Sequence, residues 1–108
     1  MAAIKRTHDQ IVDGLVARLT EKHDFVRKEN KFFNGDRCAG EMDVTTVDWY
    51  KNKVYIHYFE VKTGDYRNAR HSARRQFHTF IDAYRWRKDV VPTFIFYHPE
   101  NGFERWKK

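Results

Sequence analysis

The most constraining feature of this chain lies at its centre. Glu41 to Trp49 alternates in character, and Lys53 to Lys62 is a run of β-branched and aromatic residues. Only the polar stretch Tyr50-Lys51-Asn52-Lys53 separates the two. Two strand-forming runs so close together pair most directly as an antiparallel hairpin, although Lys-Asn is a weaker turn signal than Asn-Gly. A turn centred between Lys51 and Asn52 sets Asp43 opposite Glu60. Opposed residues have Cβ atoms about 4.5–5.5 Å apart on one face. Alternation then puts Lys62 on the same face as Glu60, towards the open end of the hairpin. A hairpin loop longer or shorter by one residue would break this pairing.

The flanking sequence supplies the rest of one small domain. Ile11, Val12, Leu15, Val16 and Leu19 mark one face of a helix over Thr7 to Lys22, and Thr7 with Gln10 forms a capping box. Phe25 to Phe33 is read as a strand, ended by the turn residues Asn34-Gly35-Asp36. Gly64-Asp65 breaks the chain before a second helix over Asn68 to Arg87, with Ala73, Phe77, Phe80, Ile81 and Tyr84 as its apolar stripe. A last strand covers Thr93 to Tyr97 after Pro92, and Pro99-Glu100-Asn101-Gly102 ends it. The order helix, strand, strand, strand, helix, strand, with a short tail, predicts an α/β domain in which helices flank a small mixed sheet.

Composition narrows the function classes. The chain has 108 residues, room for one domain spanning 1–108 and one modest core. Aromatic residues make up 17%, too many for a disordered chain. No apolar run approaches the length of a membrane span, and none resembles a signal peptide. The single cysteine, Cys38, excludes an internal disulfide framework and suits a reducing, intracellular compartment. The net charge of +6 points to a polyanionic partner. That charge is concentrated in residues 63–89, with seven basic and three acidic side chains, just after a slightly acidic centre.

Two facing carboxylates repel unless a cation sits between them. A hard divalent ion such as Mg²⁺ or Mn²⁺ suits Asp43, Glu60 and the backbone carbonyl of Val61, and leaves positions for water and a phosphate. Lys62 would hold or deprotonate an attacking water, or stabilise the charge that builds on phosphorus. The competing interpretation of the three side chains is an ordinary cross-strand ion cluster.

Gly40-Glu41-Met42-Asp43, followed by Glu60-Val61-Lys62, resembles the signature of the PD-(D/E)XK nuclease superfamily, with Met42 in place of its proline. The element order is similar to that superfamily's restriction-endonuclease-like α-β-β-β-α-β core. Within the superfamily the chain looks most like archaeal Holliday-junction resolvases and related small nucleases. The resemblance implies a metal-dependent deoxyribonuclease with Asp43, Glu60 and Lys62 as catalytic residues, and Asp43, Glu60 and Val61 as metal ligands. It also implies an acidic residue on the first helix. Asp9 is better placed than Asp13, because it lies at the edge of the apolar stripe. A homodimer acting on branched DNA is implied by the same analogy. Glu41 is expected to turn away from Asp43.

The second helix carries Arg67, Arg70, His71, Arg74, Arg75 and His78. They form a basic stripe beside the apolar face and suit a phosphodiester backbone. Gln76 is read as a polar flank, and His8 as a core or boundary residue of the first helix. Trp49, Trp86 and Trp106 are available for stacking on bases, but packing is expected for at least two of them. The alternatives are a non-catalytic nucleic-acid-binding module on the same fold, an exonuclease, or a nuclease acting on RNA.

Overall fold

A computed structural model of the protein describes residues 7–23 and 25–107. Helix α1 (His8–Thr20) starts at the expected capping box: the Gln10 amide donates to Thr7 Oγ1 at 3.3 Å, and the Thr7 amide to Gln10 Oε1 at 2.9 Å. Strands β1 (Phe25–Asn34), β2 (Arg37–Tyr50) and β3 (Lys53–Val61) follow, then helix α2 (Tyr66–Tyr84), β4 (Val90–His98) and β5 (Gly102–Trp106). Asp65 caps α2 by accepting from the Asn68 amide at 3.0 Å.

The five strands form one sheet in sequence order. β3 and β4 run parallel, because α2 crosses between them; the other neighbours are antiparallel. The helices cover opposite faces. Ile11, Val12 and Leu15 of α1 pack with Val44, Phe59, Val61 and Ile95. Ala73, Phe77 and Phe80 of α2 pack with Phe32, Tyr58, Phe94 and Phe96. An α/β domain with a mixed sheet between flanking helices is therefore what the chain forms. Among the described residues no helix is long and apolar enough to cross a membrane.

The central hairpin has the expected two-residue loop. Lys51 and Asn52 both lie in the left-handed region, at φ 47° and 66°, which is the requirement of a type I′ turn. The register that follows runs from Tyr50↔Lys53 to Val44↔Phe59, as the turn centre dictates.

Three differences from the sequence reading have local causes. β2 begins at Arg37 rather than Glu41, because Arg37, Cys38 and Gly40 pair with β1 through their backbones despite lacking strand-forming side chains. α2 begins two residues earlier and ends three residues sooner than expected, from its Asp65 cap to Tyr84. The tail after Gly102 is a fifth strand, with Phe103 packed edge-on against Phe59 on one side of the sheet and Trp106 against Phe77 and Phe94 on the other. Five residues split between two faces give too short an alternation to read on their own. Of the three tryptophans only Trp106 packs against the core, while Trp49 and Trp86 are exposed.

Candidate active site

Asp43, Glu60 and Lys62 converge where β2 and β3 stop pairing. The last backbone rung is Val44↔Phe59. One step further the Val61 amide donates instead to Asp43 Oδ2, at 2.8 Å. The Asp43 carboxylate therefore occupies the gap between the strands, close to the plane of the sheet, rather than standing on one face directly across from Glu60. The expected convergence occurs, but through a side chain filling the place of a missing rung.

Local irregularity in β2 makes this possible. Met42 is buried on the α2 side and Val44 on the α1 side, although residues two apart normally share a face. On the β1 side the pairs Lys28↔Val44 and Asn30↔Met42 flank a missing rung at Glu29 and Asp43, and Glu29 is left-handed at φ 53°. Alternation is thus broken at Asp43, which frees its side chain to turn towards β3.

Val61 has its polar groups turned to the same gap. In parallel pairing with β4, the Lys62 amide donates to the Tyr97 carbonyl at 3.0 Å. The groups of Val61 then point away from β4, since the N–H and C=O of one strand residue share a side. The amide reaches Asp43, and the carbonyl faces the same opening.

Glu60 is 3% exposed. Its Oε2 accepts from the Tyr58 hydroxyl, and its Oε1 lies 3.5 Å from Lys62 Nζ. Burial, together with the Asp43 charge, pushes the Glu60 carboxyl up to about 7, against the opposing pull of the Tyr58 hydrogen bond and the Lys62 ammonium. Burial and the neighbouring Glu60 hold the Tyr58 phenol well above its ordinary range, so it remains a donor.

The start of α1 also reaches the site. His8 Nε2 lies 3.3 Å from Asp43 Oδ2, and its Nδ1 lies 3.3 Å from Asp9 Oδ1. Burial works against charge on this imidazole, but the hydrogen bonds to Asp9 and Asp43 and the charges of both outweigh it, and the pKa is raised. His8 is half-buried at the boundary of α1, in keeping with its position on the helix, and it also contacts Asp43. It stands at the first turn of α1, where the helix start lies beside the end of the β2–β3 pairing. Asp9 is 93% exposed at its side chain and meets His8. Asp13 is paired with Lys28 at 3.0 Å.

Glu41 does not turn away from Asp43. With His8, Asp9, Asp13 and Asp43 it lines a pocket of about 220 Å³, because the break in alternation at Asp43 leaves both acids beside the start of α1. Tyr58 was absent from the sequence reading as a site residue. Its only signal there was its position two residues before Glu60, on the same face.

These donors fit a hard divalent cation. Two carboxylates and a strand carbonyl are oxygen ligands of the kind Mg²⁺ and Mn²⁺ take, and such ions keep several positions for water or phosphate. Among the described residues no three His, Cys, Asp or Glu side chains converge as a cage.

On α2, Arg67, His71, Arg74, Arg75 and His78 lie on the outward side and are all exposed. Arg75 also borders a cleft shared with Glu41 and Tyr58, which brings the basic face to the edge of the carboxylate site. Arg70 is more engaged: its guanidinium stacks over Trp106 at 5.4 Å and lies 3.9 Å from Glu104. Cys38 is exposed, with Sγ 3.7 Å from the Gly40 carbonyl.

No protein-family model, no curated protein and no solved structure matches this chain.

Proposed function

We propose that the protein is a metal-dependent nuclease of the PD-(D/E)XK type that hydrolyses phosphodiester bonds in DNA. The observation that carries this reading is the meeting of Asp43, Glu60 and Lys62 at the Val61 amide, where the central hairpin stops pairing. A buried carboxyl beside a second acid is costly in a merely structural role, and a pKa near neutrality is a mark of functional sites. The α1-β1-β2-β3-α2-β4 order is compatible with the restriction-endonuclease-like core, with β5 added.

A bound Mg²⁺ or Mn²⁺ supplies an acidified water and a counter-charge for the phosphoryl oxygens. Asp43, Glu60 and the Val61 carbonyl would hold it. Lys62 donates to the attacking water or to the oxyanion that forms on phosphorus. Arg67, Arg74 and Arg75, with His71 and His78, hold the backbone of the substrate through its phosphates, with Arg70 in a supporting place. One small domain with a basic helix favours recognition of DNA structure, such as a branch, or weak specificity, over the reading of a base sequence.

The test is a cleavage panel of four-way junction, flap, duplex, single-stranded DNA and RNA, run with Mg²⁺, Mn²⁺ and EDTA. Metal-dependent product that disappears in Asp43→Asn and Glu60→Gln, with DNA binding retained, supports the reading. Binding without cleavage of any substrate would leave a non-catalytic nucleic-acid-binding module, and cleavage of RNA alone would change the substrate class.

A further inference from the structure

Each of the two acids at the site has one oxygen already committed to the protein. Asp43 Oδ2 takes the Val61 amide at 2.8 Å and also lies 3.3 Å from His8 Nε2. Glu60 Oε2 takes the Tyr58 hydroxyl. Among the described residues, the oxygens that remain are Asp43 Oδ1, and Glu60 Oε1 with Lys62 Nζ 3.5 Å away.

We propose that Tyr58 and His8 are positioning residues that each fix one oxygen of a site carboxylate, so that the remaining two oxygens bind a single divalent cation. The proposal rests on the metal-nuclease reading and goes beyond it in assigning the two outer residues and the number of ions.

Tyr58 is well suited to this task. Its ring is 1% exposed and wedged among Phe32, Phe80 and Phe94, with centroid separations of 5.9, 5.2 and 4.9 Å. The hydroxyl has one proton to give, and Glu60 is its closest acceptor; the Glu41 carbonyl lies 3.3 Å from the same oxygen. Rotating Glu60 away would leave a buried hydroxyl without that acceptor, which opposes the rotation. The aromatic core thereby sets the direction of the acid.

His8 acts from the opposite helix. Its two nitrogens span Asp9 and Asp43, so Asp9 orients the imidazole, and the imidazole orients Asp43. Outer hydrogen bonds of this kind aim metal ligands. A two-ion site needs a carboxylate that bridges through both oxygens, or a third acid turned inwards. Asp43 Oδ2 is doubly engaged, Asp9 is turned to His8, and Glu41, though beside Asp43, is exposed and lines a pocket that Glu60 does not border, so one ion is the capacity of this arrangement.

Calorimetric titration of the whole protein with Mn²⁺, in the absence of nucleic acid, tests this. The expected result is one ion per chain. Tyr58→Phe keeps the ring and is expected to weaken Mn²⁺ binding about 10–100-fold, with its circular dichroism unchanged. His8→Ala is expected to weaken binding in the same direction, and His8→Gln, which keeps a donor towards Asp43, to recover most of the loss. His8 lies at the start of a helix, so its variants remain informative if Tyr58→Phe does not fold. Two ions per chain, or unchanged affinity in folded Tyr58→Phe or in the His8→Ala variant, overturns the proposal while leaving the nuclease reading in place. No Mn²⁺ binding by the wild-type protein overturns both.

Discussion

The Val61 amide donates to Asp43 Oδ2 at 2.8 Å, one position beyond the last backbone rung of the central hairpin. A site acid thus satisfies a backbone donor that the sheet has abandoned. This hydrogen bond ties a residue of the proposed metal site to the fold, and it separates two substitutions that otherwise look alike.

Asp43→Asn keeps an oxygen for the Val61 amide, whereas Asp43→Ala leaves that part-buried donor without one. Asp43→Ala is expected to be less stable than Asp43→Asn by about 1–2 kcal/mol. Both are expected to be inactive. Urea unfolding of the two variants in EDTA checks the stability difference, and equal midpoints with equal slopes would show that the amide finds another acceptor.

Glu60 makes stability depend on pH. Its carboxyl titrates near 4.5 when unperturbed and at about 7 in the fold. Between those values the folded protein keeps a proton that the unfolded chain has lost, so stability falls as pH rises through the window. The full shift corresponds to a loss of up to about 3 kcal/mol above pH 7. His8, whose pKa is raised, contributes stability present below 6.5 that is lost as pH rises, and adds to the same trend. Glu60→Gln removes only the first contribution. Comparing wild type with Glu60→Gln at pH 5 and pH 8 in EDTA is expected to show the variant gaining on wild type as pH rises; parallel behaviour would place the Glu60 proton elsewhere.

The basic face of α2 should not act uniformly. Arg74→Ala and Arg75→Ala are expected to weaken binding to duplex or branched DNA regardless of sequence. Each is expected to lower the slope of log affinity against log salt by about 0.9 for every phosphate that the side chain no longer neutralises. Arg70, stacked on Trp106, is expected to affect stability more than this slope. Salt titrations of binding in Ca²⁺ or EDTA distinguish the two behaviours.

The turn of the central hairpin offers a gain in stability. Lys51 and Asn52 are both left-handed, a conformation glycine adopts without cost. Replacing them with Asn and Gly is expected to stabilise the protein by about 0.5–1 kcal/mol and to leave metal binding unchanged, because the register is retained. Thermal unfolding reads the first effect. Abolished metal binding in the double variant would show that loop length alone does not hold Asp43 and Val61 in place.

Gly40 shows the opposite constraint. A Cβ there would meet the Phe32 ring at 2.9 Å. Gly40→Ala is expected to cost about 1–3 kcal/mol through overpacking, measured by the shift of the urea midpoint, and an unchanged midpoint would mean that β1 moves aside freely.

What could be read from the chain itself was whatever repeats within a few residues. The capping box at Thr7 and Gln10, the apolar stripes of both helices and the alternation around Lys51-Asn52 are short-range patterns, and they placed α1, α2 and the hairpin register that brings Asp43 towards Glu60. The fifth strand escaped because its five residues divide their packing between two faces. The turning of Asp43 into the gap, the reach of His8 from the start of α1 and the grip of Tyr58 on Glu60 were settled only by tertiary packing. Where two strands cease to pair depends on an irregularity shared with β1, and where a helix start comes to rest depends on apolar packing against residues far along the chain. Neither quantity has a period, so no window of sequence contains it.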